Sequence, residues 1–192
     1  ELANTHDVAV ICDEIHAPLS GAEHTPLHRV PGGERAFVVT SASKSWNLAG
    51  LKAGLIIPGA EVADVVTGLS GYVPESASYL GVVAHATALT DGRDWLAEAS
   101  AEIRENKQHF ADELHHAIPE LTYTPSQGTY LAWLDCSPLG LDHAGQHFFE
   151  KAKVRFGQGT DYAPSATQFV RVNLATSKEI ISEAVRRMAA SL

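Results

Sequence analysis

Short apolar runs are the feature that most constrains the fold of this 192-residue chain. Residues 8–12 read V-A-V-I-C, a run with the length of one β-strand and no polar residue. Such a run is typical of a strand covered on both faces, as in a parallel sheet. Residues 36–40 and 53–57 predict two further strands. The first half of the chain therefore favours an α/β fold with a mainly parallel sheet.

A long helical pattern follows at residues 91–118. Its apolar residues recur at steps of three, four and seven, which places them on one helix face, and Pro119 ends the pattern. The residues on that face are Trp95, Leu96, Ala99, Ile103, Phe110, Leu114 and Ile118. A helix of this length can connect two domains. We therefore expect residues 1–92 to belong to a large domain and residues 93–192 to form a linking helix and a small C-terminal domain.

The chain after this helix predicts a small α+β unit. Asp142 can cap a helix that runs to about residue 154. Thr176-x-x-Glu179 is a capping-box pattern for a last helix, in which the threonine hydroxyl accepts a backbone N–H and the glutamate returns the bond. The predicted strands lie at residues 121–123, 129–134 and 169–174.

Charge and composition exclude several classes of protein. A net charge of -9 and a pI near 5.5 argue against a nucleic-acid or anionic-membrane surface. No apolar run approaches the roughly 20 residues that span a bilayer, and residues 1–4 show no secretory signal. The two cysteines, Cys12 and Cys136, do not make a disulfide framework. We therefore expect a cytoplasmic protein with no nucleic-acid and no membrane partner.

Lys44 lies in a stretch rich in hydroxyls and small residues, T-S-A-S-K-S-W-N-L-A-G-L-K at residues 40–52, directly after the second predicted strand. A lysine is a nucleophile only when it is neutral, and a dry pocket or a nearby cation lowers its pKa toward that state. By itself the stretch fits either a reactive amine or an ordinary surface lysine.

Asp13 follows the first predicted strand. Open α/β sheets bind ligands at the carboxyl ends of their strands, which makes this carboxylate a candidate ligand group. The alternative is that Asp13 only caps a turn, and the local sequence favours neither interpretation.

Asp13, Lys44 and Arg171 together indicate a more specific site than any one of them. Pyridoxal phosphate needs a lysine that forms the Schiff base and a carboxylate that keeps the pyridine nitrogen protonated. Its phosphate needs hydroxyls and a cation, which Lys52 can supply. An arginine can then bind the substrate carboxylate through a bidentate pair.

Three segments carry a family resemblance: D-E-I-H at residues 13–16, S-A-S-K-S-W-N-L-A-G-L at residues 41–51, and F-V-R-V-N at residues 169–173. In order and spacing they closely resemble the fold type I pyridoxal-phosphate enzymes of the class I/II aminotransferase superfamily. Within it, the chain is most similar to the PatB/MalY-like cystathionine β-lyases, which are C–S lyases. The choice of branch rests on the first two segments and on the strand at residues 128–135.

The resemblance implies roles for named residues. Lys44 would be the catalytic Schiff-base lysine. Asp13 would face the pyridinium nitrogen, and His16 would lie near the phenolic oxygen of the ring. Arg171 would bind the substrate α-carboxylate. The phosphate ligands would be Ser41, Lys52 and, unless it only shapes the turn, Ser43.

The resemblance also implies an activity. A C–S β-lyase cleaves cystathionine or a related cysteine S-conjugate to a thiol, pyruvate and ammonia. The alternatives are a class I/II aminotransferase and an incomplete, non-catalytic half that requires a complementing chain. Enzymes of this type are considerably longer, so the chain resembles their C-terminal half. We expect a small amino-acid substrate and, for the full-length form, a homodimer.

No metal site is expected. His143 and His147 have the i,i+4 spacing of two ligands on one helix face, but no third ligand is evident.

Overall fold

The computed structural model describes residues 1–21 and 24–192. The chain divides into two compact units, Glu1–Glu98 and Ala99–Leu192. Each unit is described by itself below.

A three-stranded sheet with strand order β1-β2-β3 forms the centre of the first unit. β1 (Val10–Asp13) pairs in parallel with β2 (Ala36–Thr40), and β2 pairs antiparallel with β3 (Leu55–Pro58). The predicted strand at residues 36–40 is confirmed with the same bounds. The register places Asp13 opposite Val39.

Short helices and turns make up most of the rest of this unit, and one longer helix follows them. This longer helix, α6 (Tyr79–Asp91), begins after Ser78, whose hydroxyl accepts the N–H of Gly81. Short 3-10 turns lie at Leu27–Arg29, Gly33–Arg35, Ala49–Leu51 and Ala60–Val62. The α-helices are α1 (Leu2–Thr5), α2 (Ala17–Ser20), α3 (Ala42–Ser45), α4 (Ala63–Thr67), α5 (Tyr72–Glu75) and α6 (Tyr79–Asp91).

The expectation that the first strand is covered on both faces is wrong for this unit. Ile11 in β1 is 68% exposed, and Ile56 in β3 is 45% exposed. Side chains alternate between the two faces of a strand, and the described residues of the unit cover only one of those faces well. Ala36 and Val38 of β2 are buried on the covered face.

The long amphipathic helix is confirmed as α7 (Arg93–Ala117), which runs from the end of the first unit into the second. Gly92 separates it from α6, and the helix ends before Pro119. No helix among the described residues has the length and apolar character needed to cross a membrane.

The second unit packs helices against one face of an antiparallel sheet of order β4-β6-β5. Its strands are β4 (Leu131–Asp135), β5 (Gly157–Gln158) and β6 (Phe169–Asn173). Its helices after α7 are α8 (Ala144–His147), a π-helical turn (Phe148–Ala152) and α9 (Lys178–Ala189), with 3-10 turns at Ser137–Leu139 and Gly159–Asp161. The core includes the fully buried side chains Phe110, Leu114, Leu134, Phe148, Val170, Leu174, Val185 and Met188.

Three local predictions in this unit are wrong. Residues 121–123 form no strand, although Leu121 is buried in the core. Asp142 does not cap α8, because the residue before that helix is His143. α9 is capped by Ser177, whose hydroxyl accepts the Ile180 N–H, so the N-cap is not the Thr176 of the predicted capping box.

Candidate active site

Ser41 starts the short helix that carries Lys44. β2 ends at Thr40, and Ser41 is still extended, with φ near -163°. The Ser41 hydroxyl accepts the N–H of Ser43 at 3.0 Å and donates to the carbonyl of Ala53 at 2.6 Å. This N-cap turns the chain from strand to helix within one residue. α3 therefore begins at the carboxyl end of the central strand.

The Lys44 side chain is exposed on α3, and its amine has no hydrogen-bond or ion-pair partner among residues 1–21 and 24–192. The next residue is buried: Ser45 is 2% exposed and donates its hydroxyl to the carbonyl of Ile15 at 3.4 Å. Ser45 thus ties α3 to the loop that follows β1. The lysine amine remains available for a ligand.

Asp13 lies at the carboxyl end of β1, as the sequence indicates. Its Oδ1 accepts the N–H of Ile15 at 3.0 Å, so it does cap a turn. The side chain is nevertheless exposed and lines a surface cavity of about 440 Å³. The turn and the ligand role are therefore compatible, because one carboxylate oxygen makes the turn and the other does not.

Glu14, the neighbouring carboxylate, is used in a structural hydrogen bond. Its Oε1 accepts the N–H of Leu27 at 2.8 Å. Burial acts to raise the pKa of Glu14, but the Leu27 N–H and the nearby His24 together hold it below its usual range. Of the two carboxylates after β1, Asp13 is the one on the cavity.

The same cavity is lined by Ser41, Ser43 and Lys52. The structure thus brings four of the predicted cofactor-binding residues to one cavity, beside the helix that carries Lys44. Lys52 is exposed, and its φ of 57° lies in the left-handed region. Because the Ser41 hydroxyl is already donated to Ala53, Ser43 and Lys52 are the more available donors.

His16 does not line this cavity. It is half-buried at the residue preceding α2, in the loop after β1. Its predicted place near the ring oxygen stays a prediction.

Arg171 lies on β6 in the second unit, with its guanidinium 4.6 Å from the centre of the Tyr162 ring. It is opposite Trp133 on β4 and Gly157 on β5. The face that they share is the one opposite the core. No carboxylate within the described ranges pairs with Arg171, so its planar fork of donors is available to a carboxylate ligand.

Contacts made by α6 were missed by the sequence analysis. The Nε2 atom of the buried His85 accepts the N–H of Ala42 at 3.1 Å, and Trp46 Nε1 donates to the carbonyl of Gly92 at 2.8 Å. A Cβ on Gly81 would overlap the carbonyl of Leu51. The available signal was His85 itself, an imidazole in the middle of a mainly apolar helical stretch.

The chemistry of this set fits a phosphorylated pyridine aldehyde. Lys44 offers a primary amine, Asp13 a carboxylate, Lys52 a cation and Ser43 a hydroxyl.

By contrast, no group of three or more metal-binding side chains occurs in the described part of the chain. Both cysteines are free, and burial, together with the nearby Asp135, raises the pKa of the Cys136 thiol to about 12.

Comparison with known families gives a match over nearly the whole chain. The model of the family described as aminotransferase class I and II matches residues 1–188. A Mycobacterium tuberculosis protein provisionally named cystathionine β-lyase is 40% identical over 212 residues, covering 100% of this chain and 52% of that protein. Cystathionine β-lyase PatB of Bacillus subtilis is 32% identical over 200 residues, covering 100% of this chain and 52% of that protein.

Solved structures give the same fold. One from Corynebacterium diphtheriae, provisionally described as a pyridoxal-phosphate-dependent β-cystathionase, is 35% identical with a TM-score of 0.92 and covers 99% of this chain and 52% of its own. The pyridoxal-phosphate-bound C–S lyase of Staphylococcus hominis is 25% identical with a TM-score of 0.85, covering 99% and 51%. The chain spans about half the length of the curated relatives it matches.

Proposed function

The chain belongs to the aminotransferase class I and II family, and on that premise we propose that it forms part of a pyridoxal-phosphate-dependent C–S β-lyase. The proposed substrate is cystathionine or a related cysteine S-conjugate, and the products are a thiol, pyruvate and ammonia. Relatives named cystathionine β-lyase, at 32% to 40% identity, support the choice of this branch.

The single observation that carries the proposal is the cavity at the carboxyl ends of β1 and β2. Asp13, Ser43 and Lys52 line it, and the exposed Lys44 lies on the adjoining helix. When bound, pyridoxal phosphate supplies a ring that accepts the electrons of a bond broken at the substrate Cα. Every other role falls to side chains of the protein.

Lys44 has two proposed tasks. Its amine holds the cofactor covalently and, once the substrate amine has displaced it, takes the Cα proton as a general base. Lys44 is exposed and makes no ion pair with a carboxylate of the described ranges, so its nitrogen is accessible for both tasks. Cleavage of the Cβ–S bond then releases the thiol, and the remaining three-carbon fragment hydrolyses to pyruvate and ammonia.

Asp13 and the phosphate ligands have proposed binding tasks. The Asp13 carboxylate holds the proton of the pyridine nitrogen, while Lys52 and Ser43 hold the phosphate by charge and by hydrogen bonding. We also propose that His16 lies near the phenolic oxygen of the cofactor ring and that Ser41 binds the phosphate. Both roles follow from the family resemblance.

Arg171 is proposed to bind the substrate α-carboxylate. Its guanidinium carbon lies over the Tyr162 ring, and its five N–H donors suit a bidentate carboxylate pair. A carboxylate held by two parallel hydrogen bonds loses its rotational freedom, which would fix the orientation of the substrate about its Cα. Arg171→Ala is expected to weaken substrate binding by about 1.5–3 kcal/mol.

An aminotransferase is the second candidate, favoured by the match to the family model. Both reactions begin with loss of the Cα proton to Lys44. They differ afterwards, because a transaminase releases the substrate skeleton as a keto acid and needs a second keto acid to take up the amino group. We further propose, for the full-length form, a homodimer in the cytoplasm; the two free cysteines support the reducing compartment.

Incubation of the purified protein with cystathionine tests the proposal. Release of thiol and pyruvate in equal amounts, without an added keto acid, is expected for the wild type and for Lys151→Ala, an exposed lysine of the second unit. Lys44→Ala is expected to abolish both products. Turnover that requires a second keto acid would instead identify the aminotransferase. A protein that makes neither product until a second chain is added would be the incomplete half.

A further inference from the structure

His85 is a buried polar side chain in apolar surroundings. It lies in α6 and is 7% exposed. The small space around it is lined by Ser41, Ala42, Ser43, Leu48, Leu51, Ala53 and Gly81, none of which is charged or titratable near neutral pH. The imidazole therefore has no charged partner among these lining residues, and it contacts the helix that carries Lys44.

That contact fixes the state of the imidazole. A backbone N–H can only donate, so Nε2, which lies 3.1 Å from the Ala42 nitrogen, must be the unprotonated acceptor. The ring is then neutral and carries its proton on Nδ1. Burial agrees with this state, since it lowers the pKa of His85.

The acceptor matters because α3 has only four residues, Ala42–Ser45. The first N–H groups of a helix have no partner inside it, and one turn of helix is unstable without outside contacts. Ser41 accepts the N–H of Ser43, and His85 accepts that of Ala42. Two side chains thus hold the start of the turn on which Lys44 lies.

We propose that His85 is a positioning residue for Lys44: by accepting the Ala42 N–H, its neutral imidazole fixes the first turn of α3 and the direction in which the Lys44 amine projects. The inference rests on the proposed function of Lys44 for its consequence in catalysis, but the hydrogen bond itself is independent of it.

The bond makes the turn sensitive to acid. A protonated imidazole has no lone pair on Nε2, so protonation breaks the bond. The pKa of His85 in the folded protein lies below the value of about 6.5 that it has when unfolded. The stabilisation is therefore complete above about pH 6.5 and is lost as the pH falls through the folded pKa.

Nuclear magnetic resonance of the wild-type protein gives the first test. The amide shift of Ala42 and the ring shifts of His85 are expected to titrate together, with one midpoint below about 6.5. An Ala42 amide that does not change while His85 titrates would overturn the proposal. This experiment needs no cofactor, so it is independent of the proposed function.

Two variants give the second test, each compared with the wild type. His85→Leu removes the acceptor, and the exchange of the Ala42 amide with solvent is expected to accelerate about fivefold, the equivalent of one neutral hydrogen bond. His85→Gln offers a carbonyl oxygen and is expected to restore protection. Equal exchange in the wild type and both variants would contradict the proposal. Should His85→Leu fail to fold, the wild-type titration still decides the matter.

The link to Lys44 has a separate measurement, namely the rate at which pyridoxal phosphate and borohydride label each lysine. Labelling of Lys44 relative to Lys151 is expected to fall in His85→Leu and to recover in His85→Gln. If wild-type Lys44 is not labelled selectively, the proposed function fails. If it is labelled equally in all three proteins while the Ala42 amide responds as predicted, the positioning role fails.

Discussion

The two units of this chain differ in how they hold their functional side chains. The second unit has a closed core in which Phe110 is 1% exposed and Leu114 is fully buried. In the first unit Leu80 is 71% exposed and Ile11 is 68% exposed. Arg171 is therefore presented by a sheet with a packed core behind it. Lys44 is presented by a four-residue helix that depends on individual hydrogen bonds and close backbone contacts.

The contrast is visible in the helices. α7 and α9 have one apolar face each, which packs into the core of the second unit. α6 is apolar on most sides, and residues such as Tyr79, Leu80 and Val83 are exposed. A helix of that kind is normally buried, and exposed apolar surface of this extent is typical of a surface that packs against further polypeptide.

The largest expected difference between the units is the loss of stability when one large apolar side chain is replaced by alanine. Phe110→Ala is expected to destabilise the second unit by about 3–5 kcal/mol, through lost burial and a cavity. Leu80→Ala, at an exposed site, is expected to change stability by less than about 0.5 kcal/mol. Amide hydrogen exchange of β4 and β6 measures the first value, and that of α6 the second. A large effect of Leu80→Ala would show that the first unit is as well covered as the second.

The next effect concerns a buried cation. Lys107 is 2% exposed, and its Nζ donates to the carbonyls of Ser126 at 2.8 Å and Gly128 at 2.9 Å. Lys107→Met should cost about 1.5–3 kcal/mol, because two hydrogen bonds from a charged donor are lost. The Ser126 carbonyl loses its Lys107 partner, whereas the Gly128 carbonyl keeps the Ser126 hydroxyl as a donor. Urea denaturation gives the value. Arg104→Met, at an exposed position of the same helix, is the control and is expected to have little effect.

A smaller effect on stability is expected from two adjacent hydroxyl residues, of which only one caps a helix. Ser177→Ala removes the N-cap of α9 and is expected to cost about 1 kcal/mol, whereas Thr176→Ala is expected to be nearly neutral. The same denaturation experiment measures both. The reverse order would mean that the cap lies at Thr176, as the capping-box pattern predicts.

The smallest effect is electrostatic. Hydrogen bonds from Arg186, and then Arg187, lower the pKa of Glu183 to about 2. This lowered value stabilises the folded state above the unfolded pKa, and the contribution is lost as the pH falls from about 4.5 toward 2. Because Glu183 is exposed to solvent screening, Glu183→Gln should lower the melting temperature only slightly at pH 7, and less at pH 3. Glu120→Gln is the control; an equal shift in both variants would rule out the ion pairs as the cause.

Several features could be predicted from the sequence because their signals are local. The strand at residues 36–40, the position of Lys44 directly after it, and Arg171 within a strand all follow from runs of a few residues. The family and the α/β class are confirmed as well. Lys44 and Arg171 could be assigned from the sequence because each lies in or directly after a strand that a short apolar run predicts.

Other features depend on residues far apart in the sequence. Asn106 donates to the carbonyls of Leu174 and Thr176, so Thr176 is held by a residue far away in the sequence, and the helix cap is the next residue, Ser177. The bond between His85 and Ala42 joins residues 43 positions apart. The exposure of Ile11 also depends on which elements cover the sheet, and an apolar run does not encode that.

Borohydride reduction in the presence of pyridoxal phosphate, followed by peptide mass mapping, tests the assignment of Lys44 most directly. If Lys44 holds the cofactor, the reduced pyridoxyl group is expected on the peptide that contains Lys44, and it should disappear in Lys44→Ala. Labelling spread over the exposed lysines Lys52, Lys151 and Lys153, and unchanged in Lys44→Ala, would contradict the assignment.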